Sequence, residues 1–236
     1  MKKIPYQVPL SVDRPLPQRL DNFEVGANLE LMTQLHNRYV DEFVGIWLHG
    51  EPGNGRSHLL TALSVDDKAN QKIGFLVHGG LIENFPEQVM QTLQLACQQA
   101  EYLYVDDLAS LAGHQQAEEL VFQAYQMLLG KQGAFIVADR LPATAVDFDL
   151  ADLNSRARGL MHFQLQPLDD NSKRALLVHR AYERGYTLKD SVVDYWLRRG
   201  PRDLGTLLTD LEVLDRATLS HKQTVTVPLL KQVLGY

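Results

Sequence analysis

The sequence is poor in cysteine, in basic charge and in long apolar runs, and each shortage excludes something. Cys97 is the sole cysteine among 236 residues, so neither a disulfide framework nor a cysteine-built zinc site is available. Its setting, QTLQLACQQ, reads as a helix in which the thiol serves as a small apolar side chain. Lys and Arg total 23 against 29 Asp and Glu, a formal net charge of −6, so no global basic field draws the chain to DNA or to a membrane surface. If it acts near DNA, a protein partner brings it there. No apolar run approaches the ~18 residues of a membrane span, and residues 1–20 lack the core of a signal peptide. A soluble, cytoplasmic protein without a membrane partner is expected. Internal repeats and low-complexity segments are also absent from the sequence.

What is there is a chain 45% hydrophobic, long enough for one large domain or one domain plus a small satellite. Residues 1–20 hold Pro5, Pro9, Pro15 and Pro17, a density that prevents helix and central strand and predicts an extended arm. From Asp21 strands and helices alternate. ANLELMTQLHNRYV predicts a helix with Leu29, Met32, Leu35, His36 and Tyr39 on one stripe. FVGIWLHG is an almost wholly apolar run of the kind that suits a strand covered on both faces. RSHLLTAL predicts a helix, KIGFLVHG a strand, ENFPEQVMQTLQLACQQ mostly helix, and EYLYVDD a strand ending in two acids. HQQAEELVFQAYQMLLGKQG predicts a helix with Ala117, Leu120, Val121, Ala124, Tyr125, Leu128 and Leu129 at helical spacing. GAFIVADR reads as a strand, ADLNSRARGL as a short helix and MHFQLQ as a last, alternating strand. This order predicts a parallel, three-layer α/β domain over 21–166. After Pro167 the pattern turns to four helices bounded by Gly, Pro, Asp or Ser, a small all-helical domain over 167–236.

Three stations in the α/β part carry chemistry. GEPGNGRSH, residues 50–58, follows a strand and precedes a helix, which is where a phosphate-binding loop sits. Gly53 and Gly55 let backbone N–H groups turn inward, the helix start adds its positive dipole end, and the Ser57 hydroxyl is placed for Mg²⁺. The pattern G-x-x-x-x-G-K-[ST] asks for lysine where this chain has Arg56. Arginine keeps the charge but replaces a slim point charge with a planar fork, able to pair with a diphosphate and ill-shaped for a γ-phosphate in flight. An ATPase with a damaged motor, a holder of nucleotide without turnover, and a plain glycine turn all remain open on the loop alone. The second station is YLYVDD: Asp106 is placed to hold Mg²⁺ through water, and Asp107 stands where a water-activating acid would be. The third is Asp139-Arg140 at the tip of AFIVA, where a polar group could sense the γ-phosphate or the attacking water, or simply turn the chain.

Taken in sequence, DNFEVG, GEPGNGRSHLL, VDD, VADR, SRARGL and GPRDLGTLL resemble the AAA+ superfamily, and within it the ATPase part of the replication initiator DnaA, over about residues 20–236. A short DnaA-like chain with arginine in its loop is similar to the Hda group, regulators that inactivate the initiator by promoting its ATP hydrolysis. The resemblance implies a RecA-like P-loop domain followed by a helical lid, without the initiator's helix-turn-helix DNA-binding domain. It implies nucleotide contacts at Asn22, Phe23 and Val25 against the base, at Pro52, Gly53, Asn54, Gly55, Arg56, Ser57 and His58 in the loop, and at Arg202 as the sensor II arginine. Asp139 matches the sensor I position, and Arg156 the arginine finger that enters a neighbour's site. On such a body YQVPLSV resembles the peptide inserted into the sliding clamp of DNA polymerase, with Gln7 at the rim and Val8, Leu10 and Val12 as aliphatic contacts. Val12 stands where leucine or phenylalanine is common. ADP or another nucleotide, with Mg²⁺, is the expected cofactor. DnaA and the clamp are the expected partners, DNA is reached indirectly through the clamp, and a homodimer or larger homo-oligomer is left open. The competing readings are an independent ATPase of helicase-loader or initiator type, which Arg56 and Asp107 argue against, and a clamp-binding scaffold indifferent to nucleotide.

Overall fold

The computed structural model describes residues 18–221 and 225–236, so the arm residues Gln7, Val8, Leu10 and Val12 lie outside the described residues. The chain divides into two compact units, residues 18–167 and residues 168–236.

The first unit is built on five parallel strands: β1 (Val44–His49), β2 (Gly74–His78), β3 (Tyr102–Asp106), β4 (Ala134–Asp139) and β5 (Met161–Gln164). Their order is β2-β3-β4-β1-β5. The apolar strand runs are buried on both faces, and their period of two sorts side chains between two cores. Trp47, Leu103, Val105, Phe135 and Val137 pack with residues of α3 (Pro86–Gln99), α4 (Gln115–Lys131) and α5 (Ala151–Arg158). Ile46, Leu48, Tyr104, Ile136 and Ala138 pack on the other side with α1 (Leu29–His36) and α2 (Arg56–Ala69). Registers place His78 beside Asp106, Asp106 beside Ala138, and His49 beside both Asp139 and Gln164, so the carboxyl ends of all five strands finish along one edge. In doubly wound sheets ligands bind outside that edge.

The elements differ from the sequence expectation in three places. In α1 the buried residues are Leu31, Met32 and Leu35, while Leu29 is 70% exposed and His36 is exposed as well. β5 does not alternate cleanly, because as an edge strand it leaves Met161, His162 and Gln164 exposed. α2 runs on to Ala69, six residues past the apolar stretch that predicted it.

The extension of α2 has a polar cause. Arg38 is 1% exposed and Asp67 wholly buried. Arg38 Nη2 lies 3.1 Å from Asp67 Oδ1 and 2.6 Å from Asp66 Oδ2, and its Nη1 donates to the Leu35 carbonyl at 2.8 Å. The hydroxyls of Tyr104 and Tyr39 donate to Asp67 at 2.7 and 2.8 Å. Burial opposes the charge on Arg38, but Tyr104, Asp66 and Asp67 outweigh it and hold the guanidinium pKa above its ordinary value. The network joins α1, α2 and β3, and it gives the polar end of α2 a reason to stay helical.

The second unit packs α6 (Asp170–Glu183), α7 (Asp190–Arg199), α8 (Leu204–His221) and α9 (Val227–Leu234) around Leu177, Val193, Trp196, Leu207, Leu211 and Leu230. α6 is capped by Asp169, whose side chain accepts from Ser172 N at 2.7 Å, and α9 by Thr226, which accepts from Leu229 N at 3.3 Å. Among the described residues no helix is long and apolar enough to cross a membrane.

Breaking a buried pair from one side leaves an uncompensated charge. Asp67→Ala is therefore expected to lower unfolding free energy by ~3–5 kcal/mol, read by urea denaturation. Arg158→Ala, which removes the exposed Arg158–Asp147 pair, is expected to change it by less than ~1 kcal/mol.

Candidate functional site at the carboxyl edge of the sheet

Residues 50–55 leave the end of β1 and turn directly into α2, with Gly53 at φ +83° and Gly55 at φ +96°. At Gly55 a side chain would be strained by this φ, and its Cβ would meet the Phe23 ring at 3.1 Å. Asn54 braces the loop by donating its side-chain amide to the Leu165 carbonyl at 3.4 Å. Arg56 is the first residue of α2, and its side chain points into the site rather than to solvent: Nη1 is buried without a hydrogen bond, 3.9 Å from Asp107 Oδ1. Ser57 is exposed at the same helix start.

The acids converge on this edge from β3 and β4. Asp106 closes β3, buried, with its Oδ2 3.6 Å from His78 Nδ1 at the end of β2. Asp107 follows in the left-handed region, φ 57° and ψ 56°, and its N–H donates to the Ala138 carbonyl at 2.8 Å. Aspartate tolerates that conformation better than most residues. A Cβ on Gly79 would lie 2.2 Å from the Asp107 carbonyl oxygen, so the β2 loop passes the turn as bare backbone. Burial, reinforced by Asp106 and Asp139, pushes the Asp107 carboxyl upward from its ordinary pKa against the opposing pull of Arg56 and His78. His78, Gly80, Leu81, Asp106 and Asp107 line a cavity of about 440 Å³.

Asp139 is 2% exposed, and both its oxygens are engaged by backbone: Oδ2 accepts from Ala109 N at 2.7 Å and Oδ1 from Leu141 N at 3.2 Å. The residue expected as a sensor thus grips the loops after β3 and β4 with the very carboxylate a sensor would use.

Of the segment expected against a base, Phe23 lies over Gly55 and stacks edge-on against His58 at 5.7 Å, and both Phe23 and Val25 pack on the α1/α2 core. Asn22 instead turns its side-chain oxygen to the Arg19 N–H at 3.0 Å. Asn28, which no sequence motif singles out, is buried and ties this segment to the far end of the unit. Its Oδ1 accepts from Gln166 N at 2.7 Å, and its Nδ2 donates to the Gln166 and Val25 carbonyls.

Two expected arginines stand elsewhere. Arg156 is exposed on α5, its guanidinium 6.0 Å from the centre of the Tyr125 ring, and among the described residues its side chain makes no hydrogen bond or ion pair. Arg158, one step on, pairs with Asp147 at 3.2 Å. Arg202 belongs to the helical unit, where its Nη1 lies 2.9 Å from both oxygens of Asp170.

A glycine loop feeding a helix from the central strand, paired acids at the neighbouring strand ends, and an all-helical unit after the sheet define the AAA+ class of P-loop domains. The particular family follows from comparison. Residues 8–162 match the model of the bacterial DnaA ATPase domain and residues 170–234 that of the Hda lid domain, and the chain belongs to this DnaA family with an Hda-type lid. An uncharacterized protein of Haemophilus influenzae is 33% identical over 234 residues, covering 97% of this chain and 98% of the relative. Domain III of the Thermotoga maritima replication initiation protein DnaA shares the fold at TM-score 0.80 and 15% identity, covering 94% of this chain and 97% of that one. AMPPCP-bound DnaA from Aquifex aeolicus matches at TM-score 0.66 and 19% identity over 87% of this chain and 68% of its own. The Thermotoga maritima RuvB branch migration motor matches at TM-score 0.63 and 13% identity over 93% and 72%.

Asp139→Ala strands two backbone donors at the edge. It is expected to cost ~1–3 kcal/mol for each orphaned N–H, and to speed amide exchange at Ala109 and Leu141 while leaving the amides of the helical unit as they are.

Proposed function

We propose that the chain is a nucleotide-bound regulator that docks on the DNA polymerase sliding clamp through residues 7–12 and presents Arg156 to ATP held by DnaA. The observation that carries the reading is the contrast within α5: Arg158 is paired with a carboxylate, and Arg156 is exposed and unpaired beside it. An exposed guanidinium held on an aromatic ring is available to a partner's phosphates. A γ-phosphoryl group in transfer spreads negative charge over its oxygens, and an arginine supplied in trans is worth ~10³–10⁵ in rate.

A diphosphate fits the chain's own loop. The positive-φ glycines at 53 and 55 keep side chains out of the turn, the start of α2 favours an anion, and the buried, unbonded Nη1 of Arg56 lacks an acceptor. Pro52, Asn54, Ser57 and His58 complete the surround, and Ser57 with Asp106 would hold Mg²⁺ alongside phosphate oxygens. Phe23 and Val25 would bound the base, with Asn22 flanking them. A bound ADP would supply the charge that neutralises Arg56 and orders the loop. Arg202 is assigned as the helical unit's arginine for this nucleotide, and its pair with Asp170 is exposed and therefore weak. Asp139 is assigned to organising the edge, since its oxygens are already committed. A homodimer remains compatible with the reading, and DNA is met only through the clamp.

A second reading, an independent ATPase, is favoured by Asp106, which closes β3 at the carboxyl edge where a Mg²⁺-holding acid belongs. It requires rapid hydrolysis by the purified chain alone. The proposed reading requires slow or absent turnover together with a rise in melting temperature on adding ADP.

Arg156→Ala is expected to leave ADP binding, melting temperature and clamp binding unchanged and to remove most stimulation, at least ~100-fold of an effect of ~10³ or more. Arg156→Lys rescues little, because lysine lacks the fork that spans two phosphate oxygens. Arg202→Ala weakens the chain's own ADP binding first. Single-turnover hydrolysis of labelled ATP on DnaA, with DNA-loaded clamp, decides the matter: full stimulation by Arg156→Ala sinks the proposal.

The arm is tested separately. Gln7→Ala with Leu10→Ala is expected to abolish clamp pull-down while ADP still raises the melting temperature; retention of clamp at the wild-type level would make the arm a linker.

A further inference from the structure

We infer that Glu118 is the positioning residue of the arginine finger: its carboxylate fixes the start of α5, and through α5 the direction in which Arg156 points. The inference rests on the finger reading of Arg156 given above.

Glu118 is 0% exposed in the first turn of α4 and has no cation partner among the described residues. A buried carboxylate is costly unless its charge is met by hydrogen bonds. Three backbone donors meet it. Oε1 accepts from Gly113 N at 2.8 Å and from Asp149 N at 3.1 Å, and Oε2 accepts from Leu150 N at 2.7 Å. Gly113 belongs to the turn that enters α4, whereas Asp149 and Leu150 are the last residues before α5. One side chain therefore locks the entries of two helices together. Charged acceptors make the stronger class of hydrogen bond, and bonds to three fixed backbone groups specify position as well as energy.

The lock has a second point. Tyr125 lies seven residues after Glu118, two turns along the same face of α4. It is held edge-on between Phe43 and Phe135, and the Arg156 guanidinium rests over its ring. Between the two points Leu153 and Ala157 of α5 are buried in the same core as Val121 and Ala124 of α4. From the α5 side Asn154 closes the entry by a reciprocal pair with Phe148, at 2.9 Å to its N–H and 2.6 Å to its carbonyl. Arg156 sits ~9 Å along the helix from Leu150. A swing of ~10° at the entry would displace its backbone by ~1.5 Å, and a misplacement of ~1 Å can cost ~100-fold in a positioned reaction.

Glu118→Gln keeps the shape and removes the charge and one of the two acceptor oxygens. In single-turnover hydrolysis of ATP on DnaA with DNA-loaded clamp, the maximal stimulated rate is expected to fall at least ~10-fold. The concentration giving half-maximal stimulation and the ADP-induced rise in melting temperature are expected to stay as in wild type. Amide exchange at Asp149 and Leu150 should quicken while β4 stays protected. In the Arg156→Ala background Glu118→Gln should remove nothing further, because there is no finger left to aim. Asn154→Ala, a milder cut at the same entry, should lower the maximal rate in the same pattern and serves if Glu118→Gln does not fold. A full maximal rate with freed Asp149 and Leu150 amides, or an equal further loss in the Arg156→Ala background, overturns the assignment. Absence of stimulation by the wild-type chain overturns the finger reading itself and the role of Glu118 with it.

Discussion

Residue Asp139 holds the working edge of this protein together. Its carboxylate receives the Ala109 and Leu141 N–H groups, and its main-chain oxygen receives the N–H of Gly50 at 3.3 Å. The loops after β1, β3 and β4 are thereby tied to one residue at the end of the central strands. The glycine loop and the turn carrying Asp107 are the first two of those loops. A carboxylate buried at such a junction is stable only because backbone donors replace its water. The geometry of the edge depends on these bonds within the protein.

The same device recurs away from the edge, with a different task each time. Asp67 is buried against Arg38 and two tyrosine hydroxyls and holds α2 to α1 and β3. Glu118 is buried against three backbone amides and joins the entries of α4 and α5. Asn28 is buried between Val25 and Gln166 and closes the unit end to end. Apolar packing decides that helices lie on the sheet, but it is non-directional. These four polar residues supply the direction, because a hydrogen bond is lost when its partners shift or tilt.

Arg56 gives the nucleotide loop its particular character. A lysine at this place would end in a compact ammonium, whereas the arginine brings a fork whose Nη1 is buried and faces Asp107. The cation and the acid that a motor would turn toward nucleotide and water face each other instead. The proposed reading takes this as a loop that holds a nucleotide, and takes the unpaired guanidinium of Arg156 as the group offered to a partner.

The sequence by itself determined the layered α/β fold, the helical unit after Pro167, the loop at 50–58 and the acids at 106, 107 and 139. Each is written in local pattern: apolar runs of strand length, helical spacing, glycines between a strand and a helix, acids at strand ends. Family motifs singled out Arg156 and Arg202, to which no local pattern pointed. The tertiary structure alone decided that α2 continues through Ser64 and Asp67, that Leu29 faces solvent, that Asp139 is consumed by backbone donors, and that Glu118 and Asn28 matter at all. Those facts depend on partners 29 residues away for Arg38–Asp67, 30 for Ala109–Asp139 and 138 for Asn28–Gln166. A charged or amide side chain reads as a solvated surface residue in sequence, because nothing local records that backbone donors from a distant loop will close over it.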